Sequence, residues 1–227
     1  MSFNHVSRID DLVPIRNAIV SVYDKAGLED LARGLLEACP GIRIYSTGGT
    51  LAALRKILGA EENSYLVPME TYTGQPEMKG GLVKTLDWKI YLGLLAEPYD
   101  EEHRADLERL GAVSFDLVVG NLYPFRTVTS TAVPLETARQ NIDIGGPCML
   151  RAAAKNFLRV AGVCDPGDYP GILRELRRTG GSLCLASRIR FAQKVFETTA
   201  RYDAAIATFL NIASPAALRS AYEVVDE

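Results

Sequence analysis

Cysteine and histidine are scarce in this chain of 227 residues, with four of the first and two of the second. Cys39, Cys148, Cys164 and Cys184 lie far apart without a Cys-x-x-Cys pair, and only His5 and His103 offer imidazole. That argues against a disulfide framework or structural zinc as the basis of the fold. An excess of positive charge is also missing. With 25 basic and 28 acidic residues the net charge is −3, so no general field draws the chain to nucleic acid or to an anionic membrane surface. Any anion must be held by a local site. No apolar run approaches the length of a bilayer span, and the polar, mixed-charge stretch from Met1 to Asp11 is not built like a secretory signal, so we expect a cytoplasmic protein. What the chain has in quantity is hydrophobic content, 48%, enough to bury the core of a single domain over 1–227.

Asn17 to Val22 reads as a buried strand, and Leu28, Leu31, Ala32, Leu35 and Leu36 follow at helical spacing. Ile42 to Tyr45 predicts a second strand, Ser46 to Thr50 a loop, and Leu51 to Leu58 a helix with Leu51, Leu54 and Leu58 on one face. Phe115 to Gly120 is a third strand and Arg159 to Cys164 a fourth, closed by Asp165-Pro166. Strands alternating with helices imply an α/β fold with a mostly parallel sheet and helices on both faces. Tyr72 to Lys89 holds Gly74, Pro76, Gly80 and Gly81 without periodicity, which predicts a long ordered loop entering a strand or helix near Ile90. Beyond Ser187, the expected N-cap, Ile189, Ala192, Phe196 and Ala200 predict a long helix to about Leu210. A core over about 16–165 would thus carry a C-terminal helical extension over about 166–227.

Open parallel sheets bind ligands at the carboxyl ends of their strands, and several distinctive segments here follow predicted strands. Thr47-Gly48-Gly49-Thr50 offers hydroxyls, unshielded amides and a helix start, which suit a phosphate monoester, although Gly-Gly before a helix is also a common tight turn. Tyr23-Asp24-Lys25 would add a cation, or simply a solvated loop lysine. Lys84 and Thr85, with Asn121 and Tyr123, supply an ammonium, a hydroxyl, an amide and a phenol that fit a heterocycle bearing amides. Asn141 to Asn156 packs Asp143, Gly145, Gly146, Pro147 and Lys155 into one segment, read as a helix starting near Pro147. Asp143 and Lys155 would make an acid–base pair, yet a continuous helix from Pro147 rises about 12 Å by Lys155 at 1.5 Å per residue. Either that helix breaks early and folds back, or the two groups stand at opposite ends of a site, including one shared between subunits.

Taken in order, Ser-Val-Tyr-Asp-Lys (21–25), Ser-Thr-Gly-Gly-Thr (46–50), Tyr-Thr-Gly-Gln-Pro-Glu-Met (72–78), Val-Lys-Thr-Leu (83–86), Asn-Leu-Tyr-Pro-Phe (121–125), Asn-Ile-Asp-Ile-Gly-Gly (141–146) and Ala-Ala-Lys-Asn (153–156) carry a family resemblance. Over roughly Arg16 to Leu210 the chain resembles the IMP cyclohydrolase domain of the bifunctional purine-biosynthesis enzyme AICAR transformylase/IMP cyclohydrolase. The resemblance implies a methylglyoxal-synthase-like fold, a homodimer, and closure of formyl-AICAR to IMP with loss of water and without a cofactor. Because the family's large transformylase domain is not in this sequence, a separate upstream enzyme is expected to transfer the formyl group. By resemblance, Lys155 is the main proton donor and acceptor, Lys84 stabilises the formyl oxygen, and Asp143 and Tyr123 orient or exchange protons with the carboxamide. Thr47, Gly48, Gly49, Thr50 and Lys25 would hold the phosphate, with Tyr23 and Asp24 beside them. Leu82, Val83, Thr85, Asn121, Ile144 and Gly145 would line the nucleotide.

Four departures stand out against that resemblance. Family members usually carry Arg where this chain has Leu82, Ser where it has Tyr23, and Leu-His-Pro where it has Leu86-Asp87-Trp88; a later His-x-Gly-like segment reads Tyr91-Leu92-Gly93. Losing the arginine removes a fixed donor, and Asp87 is expected to place a negative charge near a phosphorylated ligand. Trp88 is expected to pack rather than stack, and Cys148 to be a small helix residue rather than a nucleophile. A non-catalytic, purine-nucleotide-binding or regulatory paralogue is the competing reading. A phosphate-eliminating enzyme of the methylglyoxal synthase type would need a catalytic histidine with no evident counterpart here.

Overall fold

Ile19, Val20 and Val22 are buried on both sides of the run Asn17–Val22, which places that strand at the centre of a sheet covered on both faces. It is β2, preceded by the short β1 (Leu12–Pro14). The computed structural model describes residues 5–75, 85–212, 214–223 and 225. β2 pairs in parallel with β3 (Arg43–Ser46) on one side and β5 (Leu117–Asn121) on the other; β4 (Leu66–Pro68) and β6 (Ala161–Val163) complete the order β4-β3-β2-β5-β6. β1 pairs instead with β7 (Ser182–Cys184) as a two-stranded antiparallel ribbon.

The pleat sorts the side chains between two cores. Ala18, Val20 and Val22 of β2, with Leu117 and Val119 of β5, face α1 (Leu28–Ala38), α2 (Gly48–Leu58) and α10 (Tyr169–Thr179). Ile19 and Val118 face the opposite way, toward α5 (Trp88–Leu95), α9 (Gly145–Lys155) and the 28-residue α11 (Leu185–Ile212). Short helices fill the connections: α3 (Glu62–Tyr65), α4 (Met69–Thr73), α6 (Glu101–Arg109), α7 (Phe125–Val128) and α8 (Leu135–Gln140). α12 (Pro215–Ala221) follows α11 and lies on α8.

Two buried arginines tie the amino edge of this sheet. Arg159 donates to Asp116 Oδ1 at 2.8 Å and to the carbonyl of Gly93 at 2.9 Å, while Asp116 Oδ2 accepts the N–H groups of Arg16 and Asn17, each at 2.9 Å. The starts of β2, β5 and β6 are thereby joined through one carboxylate. Arg188, fully buried in the first turns of α11, donates to the carbonyls of Asp10, Asp11, Phe157, Leu158 and Leu183. It links the N-terminal strand, the loop before β6 and β7.

Several expected boundaries move. α2 begins at Gly48, not Leu51, because the Thr47 carbonyl accepts the N–H of Leu51 at 3.3 Å and closes a first turn over the two glycines. α9 begins at Gly145 and stays continuous to Lys155, so it neither breaks nor folds back. α11 starts at Leu185, and Ser187 is not its cap: the Ser187 hydroxyl donates to Glu175 on α10. Tyr72 belongs to α4 and not to a loop, while 76–84, including the expected site residues Leu82, Val83 and Lys84, lie outside the described residues.

Candidate active site at the sheet switch point

The chain winds outward from β2 through β3 to β4, then returns to the other side of β2 as β5 and β6, so winding reverses between β2 and β5. Loops leaving those two strands diverge and open a crevice at their carboxyl ends. Asn121, the last residue of β5, crosses it. Its Oδ1 accepts the N–H of Tyr23 at 2.6 Å and of Asp24 at 2.8 Å, and its Nδ2 donates to the Asp24 carbonyl at 2.9 Å. The amide expected to face a ligand is therefore spent on tying the turn after β2 to β5. Asp24 Oδ1 accepts the N–H of Ala26 at 2.9 Å and tightens the same turn. Lys25 Nζ donates to the carbonyls of Val22 at 3.0 Å and Tyr23 at 2.9 Å, which leaves one ammonium proton for an anion.

Beside this turn stands the start of α2. Thr50 is buried with its hydroxyl turned inward, accepting the Val22 N–H at 3.0 Å and donating to the Val22 carbonyl at 2.9 Å. It locks α2 to the end of β2 and is not free for a ligand. Thr47 occupies the N-cap position, but its hydroxyl caps nothing; it donates to Glu70 Oε1 at 3.2 Å. A Cβ built on Gly49 would meet nothing within 4 Å, so the first turn of α2, with Gly48 and Gly49, leaves its amides open to an approaching anion.

The third wall is the start of α9. Asp143 Oδ1 accepts the N–H of Gly146 at 2.9 Å and satisfies one of the orphan donors of that helix. Burial pushes the Asp143 carboxyl above its usual range, while the N–H groups of Gly146 and Tyr123 pull it back. Its own N–H donates to the Tyr202 phenol oxygen at 2.8 Å, so α11 braces it from behind. Glycine is required here. A Cβ on Gly146 would stand 2.4 Å from Asp143 Oδ2, and one on Gly145 would stand 2.6 Å from Thr85 Oγ1. Thr85 is thereby held against the helix start, and Ile144 is exposed beside it.

Lys155 does not join this group. It is the last residue of α9, exposed, about 15 Å along the axis from Gly145 at 1.5 Å per residue. Toward the amino edge of the sheet it acts on Glu97, whose carboxyl burial pushes above its usual range while Arg159, His103 and Lys155 pull it back. The crevice thus gathers Tyr23, Asp24, Lys25, Thr47, Gly48, Gly49, Asn121, Tyr123, Asp143, Gly145 and Thr85 from several segments, with Lys155 of the same chain elsewhere. A recess of about 670 Å³ between α1 and α10, walled by Gly34, Tyr169, Leu173 and Arg177, holds none of the expected catalytic residues.

Residues 27–148 match the family model of the MGS-like domain, and residues 153–225 match that of the AICARFT/IMPCHase bienzyme. The chain is 45% identical over 196 residues to the bifunctional purine biosynthesis protein PurH of Mesorhizobium japonicum, an overlap of 86% of this chain and 35% of that protein. This chain belongs to the AICARFT/IMPCHase family. It is 43% identical to PurH of Mycobacterium ulcerans, over 92% of its own length and 38% of that protein, so it spans little more than a third of these relatives. The crystal structure of ForH is similar with a TM-score of 0.71 and 35% identity, covering 85% of this chain and 97% of ForH.

As an AICARFT/IMPCHase member the chain handles two of its departures differently from expectation. Asp87 does not aim a charge at a ligand: it is buried, caps α5 by accepting the Lys89 N–H at 2.8 Å, and accepts the Gln75 side-chain amide at 2.6 Å. Trp88 does not pack away either, being 52% exposed at the first position of α5. The residues that sequence reasoning missed are Glu70 and Tyr202. Tyr202 lies on the long AICARFT/IMPCHase helix, 59 residues from Asp143, and nothing local marks it as a neighbour of a carboxylate.

Proposed function

We propose that the chain closes formyl-AICAR to IMP, the cyclohydrolase step of de novo purine biosynthesis, as a homodimer supplied by a formyl-transferring enzyme. The reading is carried by Asp143, a partly buried carboxylate aligned by backbone N–H groups beside Tyr123 and the open turn of α2. The carboxamide nitrogen attacks the formyl carbon, a carbon–nitrogen bond forms, and the formyl oxygen leaves as water. An amide nitrogen is a weak nucleophile, so the work lies in holding the two groups together and moving protons. Asp143 takes a carboxamide proton, Tyr123 orients the amide, Lys84 steadies the developing oxyanion, and Lys25 with the turn Thr47–Thr50 holds the phosphate. The required proton donor, Lys155, comes from a partner copy. Ile144, Cys148, Arg151 and Lys155 form one exposed stripe on α9, flanked on α11 by exposed Ile189 and by Phe196, whose ring lies 5.3 Å from the Arg151 guanidinium. A face of that kind, part apolar and part cationic, suits an isologous interface.

Incubation with formyl-AICAR should yield IMP, followed by chromatography, with no added cofactor; tight IMP binding without turnover would instead favour the nucleotide-binding paralogue. Gly146→Ala should lower turnover by about 100-fold, because the added methyl displaces Asp143 from its amide partner. A circular-dichroism spectrum like that of the parent would show that the fold survives, and unchanged turnover would remove Asp143 from the mechanism.

A further inference from the structure

Tyr23 and Tyr123 leave two large rings standing at the mouth of the crevice. They meet edge to face with centroids 5.4 Å apart and planes at 76°. Tyr23 is 51% exposed and Tyr123 46%, and among the described residues neither phenol has a hydrogen-bond partner. About half of each ring is open to the crevice, an apolar area that a flat ligand would cover.

Their placement is not slack in the loop. Asn121 holds the N–H groups of Tyr23 and Asp24 and the Asp24 carbonyl, so the backbone under Tyr23 is pinned to the strand that leads into Tyr123. The two rings are thus anchored to neighbouring strand ends. Beside this turn the described groups of the phosphate side are weakly cationic: Lys25 has two of its three protons committed, and the Thr47 hydroxyl already serves the Glu70 carboxylate. A dianion arriving there meets a like charge, which costs affinity that some other part of the ligand must supply.

We infer that Tyr23 is a base-binding residue of this site, forming with Tyr123 an aromatic wall against which the flat heterocycle of the ligand packs, so that binding draws on the base more than on the phosphate. The inference rests on the nucleotide-site reading above and adds to it the part of the ligand that is recognised. A base stacked on an aromatic side chain is sequence-tolerant and strong enough to change affinity by about tenfold or more. The ring, not the hydroxyl, is the working part.

Calorimetric titration of the full chain with IMP and with ribose 5-phosphate, which has the phosphate but no base, separates the contributions. Tyr23→Ser should weaken IMP about tenfold and leave ribose 5-phosphate unchanged, while Tyr23→Phe should bind IMP like the parent. Equal IMP affinity in Tyr23→Ser, an equal loss for both ligands, or a Phe variant as weak as the Ser variant would each overturn the inference while leaving the nucleotide site standing. A parent protein that binds no IMP would remove the site reading itself, and this inference with it. Because the Tyr23 ring is half exposed, neither substitution removes core packing.

Discussion

Mixing Lys155→Ala protein with Asp143→Ala protein is expected to restore activity that neither variant has alone. Each variant by itself should turn over formyl-AICAR on the order of 100-fold or more slowly, since a positioned acid or base contributes that much to a proton-transfer step. Binding of IMP should change far less, because these groups act chiefly in the transition state. The restoration follows from geometry. α9 is continuous, so Asp143 and Lys155 stand at its two ends and cannot serve one site within one chain. If each site draws Asp143 from one copy and Lys155 from the other, random exchange makes half the dimers mixed, and each mixed dimer has one site with both groups intact. About a quarter of the parent activity should return. Activity that stays at the level of the single variants after subunit exchange, verified by sedimentation, would sink the shared site.

Arg188→Met should lower stability by about 3–5 kcal/mol, the largest loss expected from any single change outside the crevice. Five carbonyls lose their donor at once. Those of Leu158 and Leu183, at 2.9 and 2.6 Å from the guanidinium, lie where methionine offers nothing in return. In a chain of this length each kcal/mol moves the melting temperature by about 2–4 °C, so a fall of roughly 10 °C is expected in a thermal melt. Arg188→Lys should lose less, since an ammonium keeps three donors but lacks the planar fork. A Met variant melting within about 2 °C of the parent would show that water reaches these carbonyls in the native state.

The central strands and the first helix were readable because they are long, apolar and periodic: β2 lies where Asn17 to Val22 predicts it, and Leu28, Leu31, Ala32 and Leu35 are the buried face of α1. β1, β4 and β7 escaped, since three residues carry no period and their partners are distant in sequence. The Gly48-Gly49 start of α2 reads as a turn on propensity, and only the closed first turn makes it helical. In the candidate site, helical rise alone showed that a continuous helix would part Asp143 from Lys155, but not that the helix runs unbroken. The uses of the polar groups were not: a sequence shows that Asn121 and Thr50 have hydrogen-bonding capacity, but not that backbone groups of 22–24 consume it. Glu70 and Tyr202 reach the crevice from elements whose own sequence neighbourhood is unremarkable, so their roles emerge only from packing.

α11 acts as a ruler. Arg188 bolts its lower end to the foot of the sheet, and fourteen residues further on Tyr202 meets the backbone of Asp143. At 1.5 Å per residue the interval is about 21 Å and close to four whole turns, so both ends face the protein. Side chains on the outer surface of this rod can vary without moving either end, whereas one residue inserted between 188 and 202 would swing Tyr202 by about 100° and leave the candidate base without its brace. The height of Asp143 above the foot of the sheet is therefore set by a count of residues, and evolution within this stretch is free in composition on the outer face but not in length.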